Sequence, residues 1–134
     1  MVNYNDSMWA KYHIGEWLAV TDPATGQPAV RNIFYSSKFP KLSEAKEDPS
    51  DENSSFQDKS VQGLQRRGVK FLTCHTATEE QARVIVDRLK LKEEPEAVVK
   101  DLQSHTVPNV LIVPSMIATV VVLQMDGHYS YITV

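Results

Sequence analysis

The sequence predicts an α/β fold, with a parallel sheet that carries helices on both faces. From residue 58 onward, short apolar runs alternate with segments of helical periodicity in the order α-β-α-α-β-α-β. The first of these runs, residues 69–74, is apolar on both faces apart from Lys70 and Thr73, which is typical of a strand covered by helices. Strands separated by helices are expected to pair in parallel through right-handed crossovers.

Length and composition favour one domain. The chain has 134 residues, of which 42% are hydrophobic, so a core can form without metal or disulfide staples. We expect a single domain over residues 1–134. It would consist of an N-terminal helix and turn segment (1–35), a polar surface loop (36–57) and an α/β core (58–134).

Residues 6–20 are predicted to form a helix that Asp6 or Ser7 caps. Six residues fall on one side of it at helical spacing: Trp9, Tyr12, His13, Glu16, Trp17 and Val20. Such a stripe indicates a face packed on the domain. The alternative is a subunit interface, where Trp and Tyr are favoured anchors.

Two polar stretches follow this helix. Residues 21–32 combine prolines, an aspartate and a glycine in a pattern typical of turns, and no Lys-Ser/Thr follows to make a phosphate-binding loop. Residues 36–57 are rich in Ser, Glu, Asp, Lys and Pro, which predicts a long surface loop. Their acidic cluster lacks the ligand spacing and glycine of an EF-hand, so we expect no calcium site there.

The α/β core is predicted as four helices and three strands. The helices are expected at residues 58–67, 77–91, 95–104 and 116–125, and the strands at 69–74, 110–113 and 128–134. Gly68 suits the C-terminus of the first helix, and a capping box over residues 76–79 suits the start of the second. Arg66 and Arg67 complement the dipole of the first helix or, alternatively, bind an anion. Three strands are few for a sheet covered on both sides, so either the N-terminal half or another chain should add strands.

Cys74 is the only cysteine and the principal candidate for chemistry. It lies at the predicted carboxyl end of a strand, where α/β proteins gather ligands. The amides that open the following helix, the hydroxyls of Thr76 and Thr78, and the ring of His75 would favour a thiolate. The two glutamates at 79 and 80 would oppose it, and the alternative is that Cys74 is a small buried hydrophobe.

A metal centre and a serine nucleophile are both disfavoured. Zinc would need Cys74, His75, His105 and His128 together, yet a parallel sheet puts the last two at its amino edge, opposite the thiol. Ser115 has no G-x-S-x-G elbow around it and is predicted to cap the helix 116–125. The sequence indicates no metal and no cofactor.

Net charge and hydropathy limit the expected partners and cellular location of the chain. The net charge of −3 argues against nucleic acid as a partner. No apolar run approaches the ~20 residues that span a bilayer, and the N-terminus shows no signal peptide. We expect no membrane span and a cytoplasmic location by default, or a periplasmic one if the chain is a mature fragment.

The stretch "GVKFLTC", followed by a helix and then by "VPNVLIVPSMIATVVVLQMDGHYSYI", resembles the DsrE/DsrF-like family of small sulfur-metabolism proteins. The resemblance covers about residues 60–134, and the segment "DPATGQPAVRN" with the polar loop matches only an uncharacterised bacterial branch. It implies a parallel α/β fold, a small homo-oligomer, and a cysteine that carries persulfide sulfur between partner proteins. Cys74 alone can inherit that role. The chain departs from the family by lacking its first strand-helix unit, so we expect residues 1–60 or another subunit to cover a sheet edge.

Three functional hypotheses follow. The first is a sulfur carrier that uses Cys74 and His75, with Thr76, Thr78 and Ser115 as ligand-binding residues and a sulfur-donor or acceptor protein as partner. The second is a non-catalytic oligomeric binding module, in which the aromatic helix and the strand of Tyr129 and Tyr131 form subunit contacts. The third is a small-molecule enzyme with His75 as base, for which the sequence shows no carboxylate at a suitable spacing.

Overall fold

The computed structural model describes residues 1–130. These residues form two compact units. The first comprises residues 1–71 and 105–109, and the second comprises residues 72–104 and 110–130 of the described range. No helix within residues 1–130 combines the length and the apolar character needed to cross a bilayer.

The predicted helix 6–20 is two helices, α1 (Asp6–Lys11) and α2 (Ile14–Trp17). The break falls at His13, whose φ of 51° is left-handed and incompatible with a continuing helix. Gly15 allows α2 to pack directly on backbone, because a Cβ there would lie 2.1 Å from the Ala29 carbonyl oxygen. The predicted cap was also wrong: Asn5 is the N-cap, and its side chain accepts a hydrogen bond from the Met8 amide.

The core of the first unit forms around Trp9, which is fully buried. Trp9 lies 6.0 Å from the Phe34 ring, between ring centroids, and Tyr12 is also buried, so this part of the predicted stripe faces inward. His13 and Glu16, predicted on the same side, are exposed because the helix breaks between them and Trp9. The turn predicted at 21–32 is present, with Gly26 at φ 70°.

The helical elements described in the polar segment 36–57 are two short 3-10 helices, Leu42–Glu44 and Ser55–Gln57. Two arginine side chains hold this segment by hydrogen bonds to its backbone carbonyls. They come from the end of α3 (Val61–Arg66). Arg66 donates to the Phe39 and Pro40 carbonyls, at 2.5 and 3.0 Å, and Arg67 donates to the Phe56 and Asp58 carbonyls, at 2.8 and 2.9 Å. These arginines therefore organise the loop. Gly68, at φ 90°, follows α3 as predicted.

The second unit contains two strands and three helices. They are β1 (Phe71–Cys74), α4 (His75–Leu89), α5 (Pro95–Ser104), β2 (Val110–Val113) and α6 (Met116–Met125). The strands β1 and β2 pair in parallel, which confirms the α/β class. The bounds predicted for α5, β2 and α6 are confirmed. Helices on both faces and a missing first strand-helix unit stay predictions.

Two predictions for this unit need correction or fall outside it. The capping box over 76–79 was wrong, because α4 begins two residues earlier and Cys74 is its N-cap. Residues 128–130 of the predicted third strand are not in a strand, and residues 131–134 lie outside the described range.

Apolar side chains are distributed unevenly in the second unit. Ala82 and Ile85 of α4 and Val98 and Leu102 of α5 are buried, and these two helices pack on each other. In contrast, α6 has no buried residue. The exposed large side chains of β2, α6 and the following turn are here called the α6 apolar surface: Leu111, Ile112, Ile117, Val121, Val122, Met125 and Tyr129.

Candidate functional site

The site is built where the two parallel strands end. Cys74 is the last residue of β1 and the N-cap of α4. Since β2 runs parallel beside β1, the residues after β2 come to the same edge of the sheet. The Pro114 carbonyl accepts hydrogen bonds from the Thr76 hydroxyl at 3.1 Å and the Thr76 amide at 3.4 Å. These bonds tie the start of α4 to the segment that opens α6.

Backbone amides from both helices surround the Cys74 sulfur. The Met116 amide, the first of α6, donates a hydrogen bond to Sγ over 3.3 Å. The Ala77 and Thr76 amides of α4 also interact with the sulfur, without a full capping hydrogen bond. The N-terminal turns of two helices, of fifteen and ten residues, thus converge on one atom.

This arrangement lowers the pKa of the Cys74 thiol. The Ala77 amide contributes most, followed by the Met116 amide, while partial burial opposes the shift and the Thr76 amide and hydroxyl add smaller effects. The physical cause is that N–H groups in the first turn of a helix and the positive end of the helix dipole stabilise a thiolate. Cys74 is a partly exposed residue and is not part of the buried core.

His75 lies at the helix start, but its ring is directed towards α5. The Gln103 amide lies 2.7 Å from Nδ1, and Glu79 Oε1 lies 3.7 Å from Nε2. With Gln103 donating to Nδ1, the ring proton resides on Nε2 and faces Glu79. The sequence analysis found no carboxylate at a suitable spacing for His75, and the structure puts Glu79 near the ring, although beyond hydrogen-bond distance. The missed signal was the i, i+4 spacing of His75 and Glu79 on one helix.

Of the other predicted site residues, Thr76 interacts with the Cys74 sulfur, whereas Thr78 and Ser115 do not. Thr76 is exposed and touches the sulfur environment through both its amide and its hydroxyl. Thr78 is buried, and its hydroxyl donates to the Cys74 carbonyl at 2.9 Å, so it holds the end of the strand. Ser115 is the N-cap of α6 by position, but its side chain makes no capping hydrogen bond. Its carbonyl instead accepts from the Thr119 hydroxyl at 2.7 Å.

The remaining histidines of the metal hypothesis lie elsewhere along the chain. His105 belongs to the first unit, where its carbonyl accepts a hydrogen bond from the Asn5 amide. His128 follows α6 with a φ of 56°. Over residues 1–130, no three His, Cys, Asp or Glu side chains are grouped in a way that could hold a metal ion.

Comparisons with known protein families, curated proteins and solved structures found no match to this chain. What distinguishes the site is therefore its own geometry. The sulfur of a partly exposed cysteine contacts amides from two helix starts, next to a histidine whose ring is hydrogen-bonded by a glutamine.

Proposed function

We propose that this chain is a DsrE-like sulfur carrier in which Cys74 holds persulfide sulfur. The observation that supports the proposal best is the hydrogen bond from the Met116 amide to the Cys74 sulfur, together with the contributions of the Thr76 and Ala77 amides. A carrier needs a thiol that is nucleophilic near neutral pH, and depressed pKa with access is the property of reactive cysteines. The sequence resemblance points to the same residue.

The reaction can be written without an external oxidant. The Cys74 thiolate attacks the outer sulfur of a donor persulfide, R–S–SH. A new S–S bond forms to Cys74, the S–S bond of the donor breaks, and its electron pair leaves with R–S⁻. The product is the persulfide Cys74–S–SH, whose outer sulfur is the one transferred. A thiolate on an acceptor protein then removes the outer sulfur by the same exchange.

Intact-mass measurement after incubation with inorganic polysulfide tests the proposal. The wild-type chain should gain one sulfur atom, and dithiothreitol should remove it. Cys74→Ser is the matched control and should gain none. An unmodified wild-type chain, under conditions in which a known carrier reacts, would rule out the proposed function.

The α6 apolar surface supports a second candidate, an oligomeric binding module. Its exposed side chains include Ile117 at 82% and Met125 at 71% of full exposure. Large apolar side chains that are exposed together on one helix are a feature of interaction sites. A homo-oligomer formed through this surface would explain why a helix without a single charged residue, Met116–Met125, lies open.

Light-scattering mass measurement distinguishes the second candidate. Val121→Lys puts a charge at the middle of the α6 apolar surface and should reduce the mass to that of one chain. Val84→Lys, on the exposed side of α4, is the matched control. A wild-type chain that is already monomeric at high micromolar concentration would contradict the oligomeric module.

A further inference from the structure

A groove of about 440 Å³ lies between α4 and α5, on the side to which the His75 ring points. Its size falls within the range of small-molecule sites. One wall carries His75, Glu79 and Arg83, which are spaced four residues apart and so form a single ridge along α4. The other wall carries residues of one face of α5: Pro95, Glu96, Val99, Lys100 and Gln103.

The two walls present opposite charges to each other. The contact between His75 and Gln103 joins the start of α4 to the end of α5, so the helices are antiparallel. Counting along both helices at equal rise from that contact places Glu79 level with Val99, one residue from Lys100. By the same count Arg83 is level with Pro95, one residue from Glu96. Charge therefore alternates along each wall and is complementary across the gap.

The charged side chains of the two walls do not form ion pairs with each other in the described residues. Lys100 pairs within its own helix with Glu96 at 3.0 Å, and Glu79 lies 3.7 Å from the His75 ring. Arg83 has no hydrogen bond or ion pair to any residue in the range 1–130. Because Glu96 and Lys100 are mostly exposed, their pairing contributes little and a ligand can replace it.

The balance of charges selects the ligand. Two carboxylates and two cationic side chains would each repel part of a dianion or a dication, and the only apolar groups are Pro95 and Val99. A molecule with one carboxylate and one ammonium group satisfies both signs. Arg83 and Lys100 suit the carboxylate, with Arg83 able to bind it through two parallel hydrogen bonds. Glu79 and Glu96 suit the ammonium group.

We propose that the α4–α5 groove binds a zwitterionic amino acid through its two carboxylates and its two cationic side chains. This binding needs no chemistry at Cys74, which is not among the residues that line the groove, so it goes beyond the proposed sulfur carrier.

A binding measurement that needs no thiol chemistry tests the groove. The probe is S-methyl-L-cysteine, which keeps both charges but cannot exchange sulfur, titrated into the full chain and followed by NMR and calorimetry. Wild type and Cys74→Ser should bind it equally. Arg83→Gln should weaken binding about tenfold or more, as expected for a lost charge-assisted contact. Arg88→Gln, an exposed arginine of α4 outside the groove, is the matched control and should bind as wild type does.

The ligand class has its own controls. The deaminated and the decarboxylated analogues of the probe each lack one charge, and both should bind at least about tenfold more weakly. Equal binding of all three compounds, unchanged binding by Arg83→Gln, or no binding to wild type at millimolar probe would overturn the proposal. If polysulfide fails to modify Cys74, the sulfur-carrier proposal fails. Binding of the probe to Cys74→Ser would still support amino-acid binding in the groove.

Discussion

The backbone amide of Met116 donates a hydrogen bond to the sulfur of Cys74 across 3.3 Å. This contact joins residues 42 positions apart in the sequence and connects the first turn of α6 to the residue that caps α4. It is a main-chain donor, so no side-chain substitution at 116 removes it. Only a change that deletes the N–H group itself can test what it does.

Met116→Pro deletes that N–H group while keeping the helix. Residue 116 is the first of α6, where proline is tolerated, and Ser115 before it already has the extended backbone that proline requires. The pKa of the Cys74 thiol should rise, and alkylation by iodoacetamide at pH 7 should slow about three- to tenfold. Met116→Ala keeps the amide and should react as wild type does. Equal rates for both variants would show that the contact does not activate the thiol.

His75→Gln should leave the thiol largely unchanged. The His75 ring bonds Gln103 and faces Glu79, and the groups that lower the pKa of Cys74 are amides and the Thr76 hydroxyl. We expect iodoacetamide rates within about twofold of wild type across the pH range. A larger loss, comparable with that of Met116→Pro, would mean that His75 acts directly on the sulfur.

Gly15→Ala should destabilise the fold more than Gly26→Ala does, although Gly26 has a positive φ. A Cβ at residue 15 would lie 2.1 Å from the Ala29 carbonyl oxygen, which is backbone and cannot move aside easily. The cost should be about 3 kcal/mol in the free energy of unfolding. Gly26→Ala, with a φ of 70° and open space around it, should cost about 1 kcal/mol. Urea denaturation of both variants gives the comparison, and a reversed order would contradict the packing of α2.

Asp58 should make stability depend on pH in the acid range. Burial opposes its charge, but the hydrogen bonds from Ser37 at 2.5 Å and from Ser60, with the nearby Arg67, outweigh burial and lower its pKa. A carboxyl with a lowered folded pKa stabilises the fold above about pH 4, and this contribution is lost as the pH falls through the folded value.

Asp58→Asn cannot titrate, so it should lose less stability than wild type when the pH is lowered from 7 to 3. Urea midpoints at several pH values measure the difference. Glu93→Gln, at an exposed position, is the matched control and should follow wild type. Parallel curves for wild type and Asp58→Asn would show that Asp58 does not couple folding to pH.

Much of the second unit could be predicted because its signals are local. Pro95 opens α5, Pro114 stops β2, and the apolar periods between them fix the bounds of both elements. The start of α4 was placed two residues late, because a capping box is visible in sequence whereas a cysteine N-cap is not. The N-terminal helix breaks at His13, and Gly15 after the break packs on Ala29, a contact that no local pattern in the sequence indicates.

The site was predicted in position but not in its contacts. The order of a strand followed by a helix predicted Cys74 at the carboxyl end of the strand. It also predicted that the first amides of α4 lie near the sulfur. The donor from α6 could not be foreseen, because it requires β2 to be the immediate parallel neighbour of β1. The direction of the His75 ring depends on Gln103, 28 residues away, and no local pattern indicates that partner.

The pH dependence of Cys74 alkylation tests the central claim most directly. With iodoacetamide on the native wild-type chain, the rate follows the thiolate fraction and therefore gives the thiol pKa and its accessibility together. We expect a pKa below the ordinary cysteine value of about 8.5 and a rate at pH 7 above that of the urea-unfolded chain. A pKa at or above the ordinary value, or a thiol that reacts only after unfolding, would contradict an activated carrier cysteine.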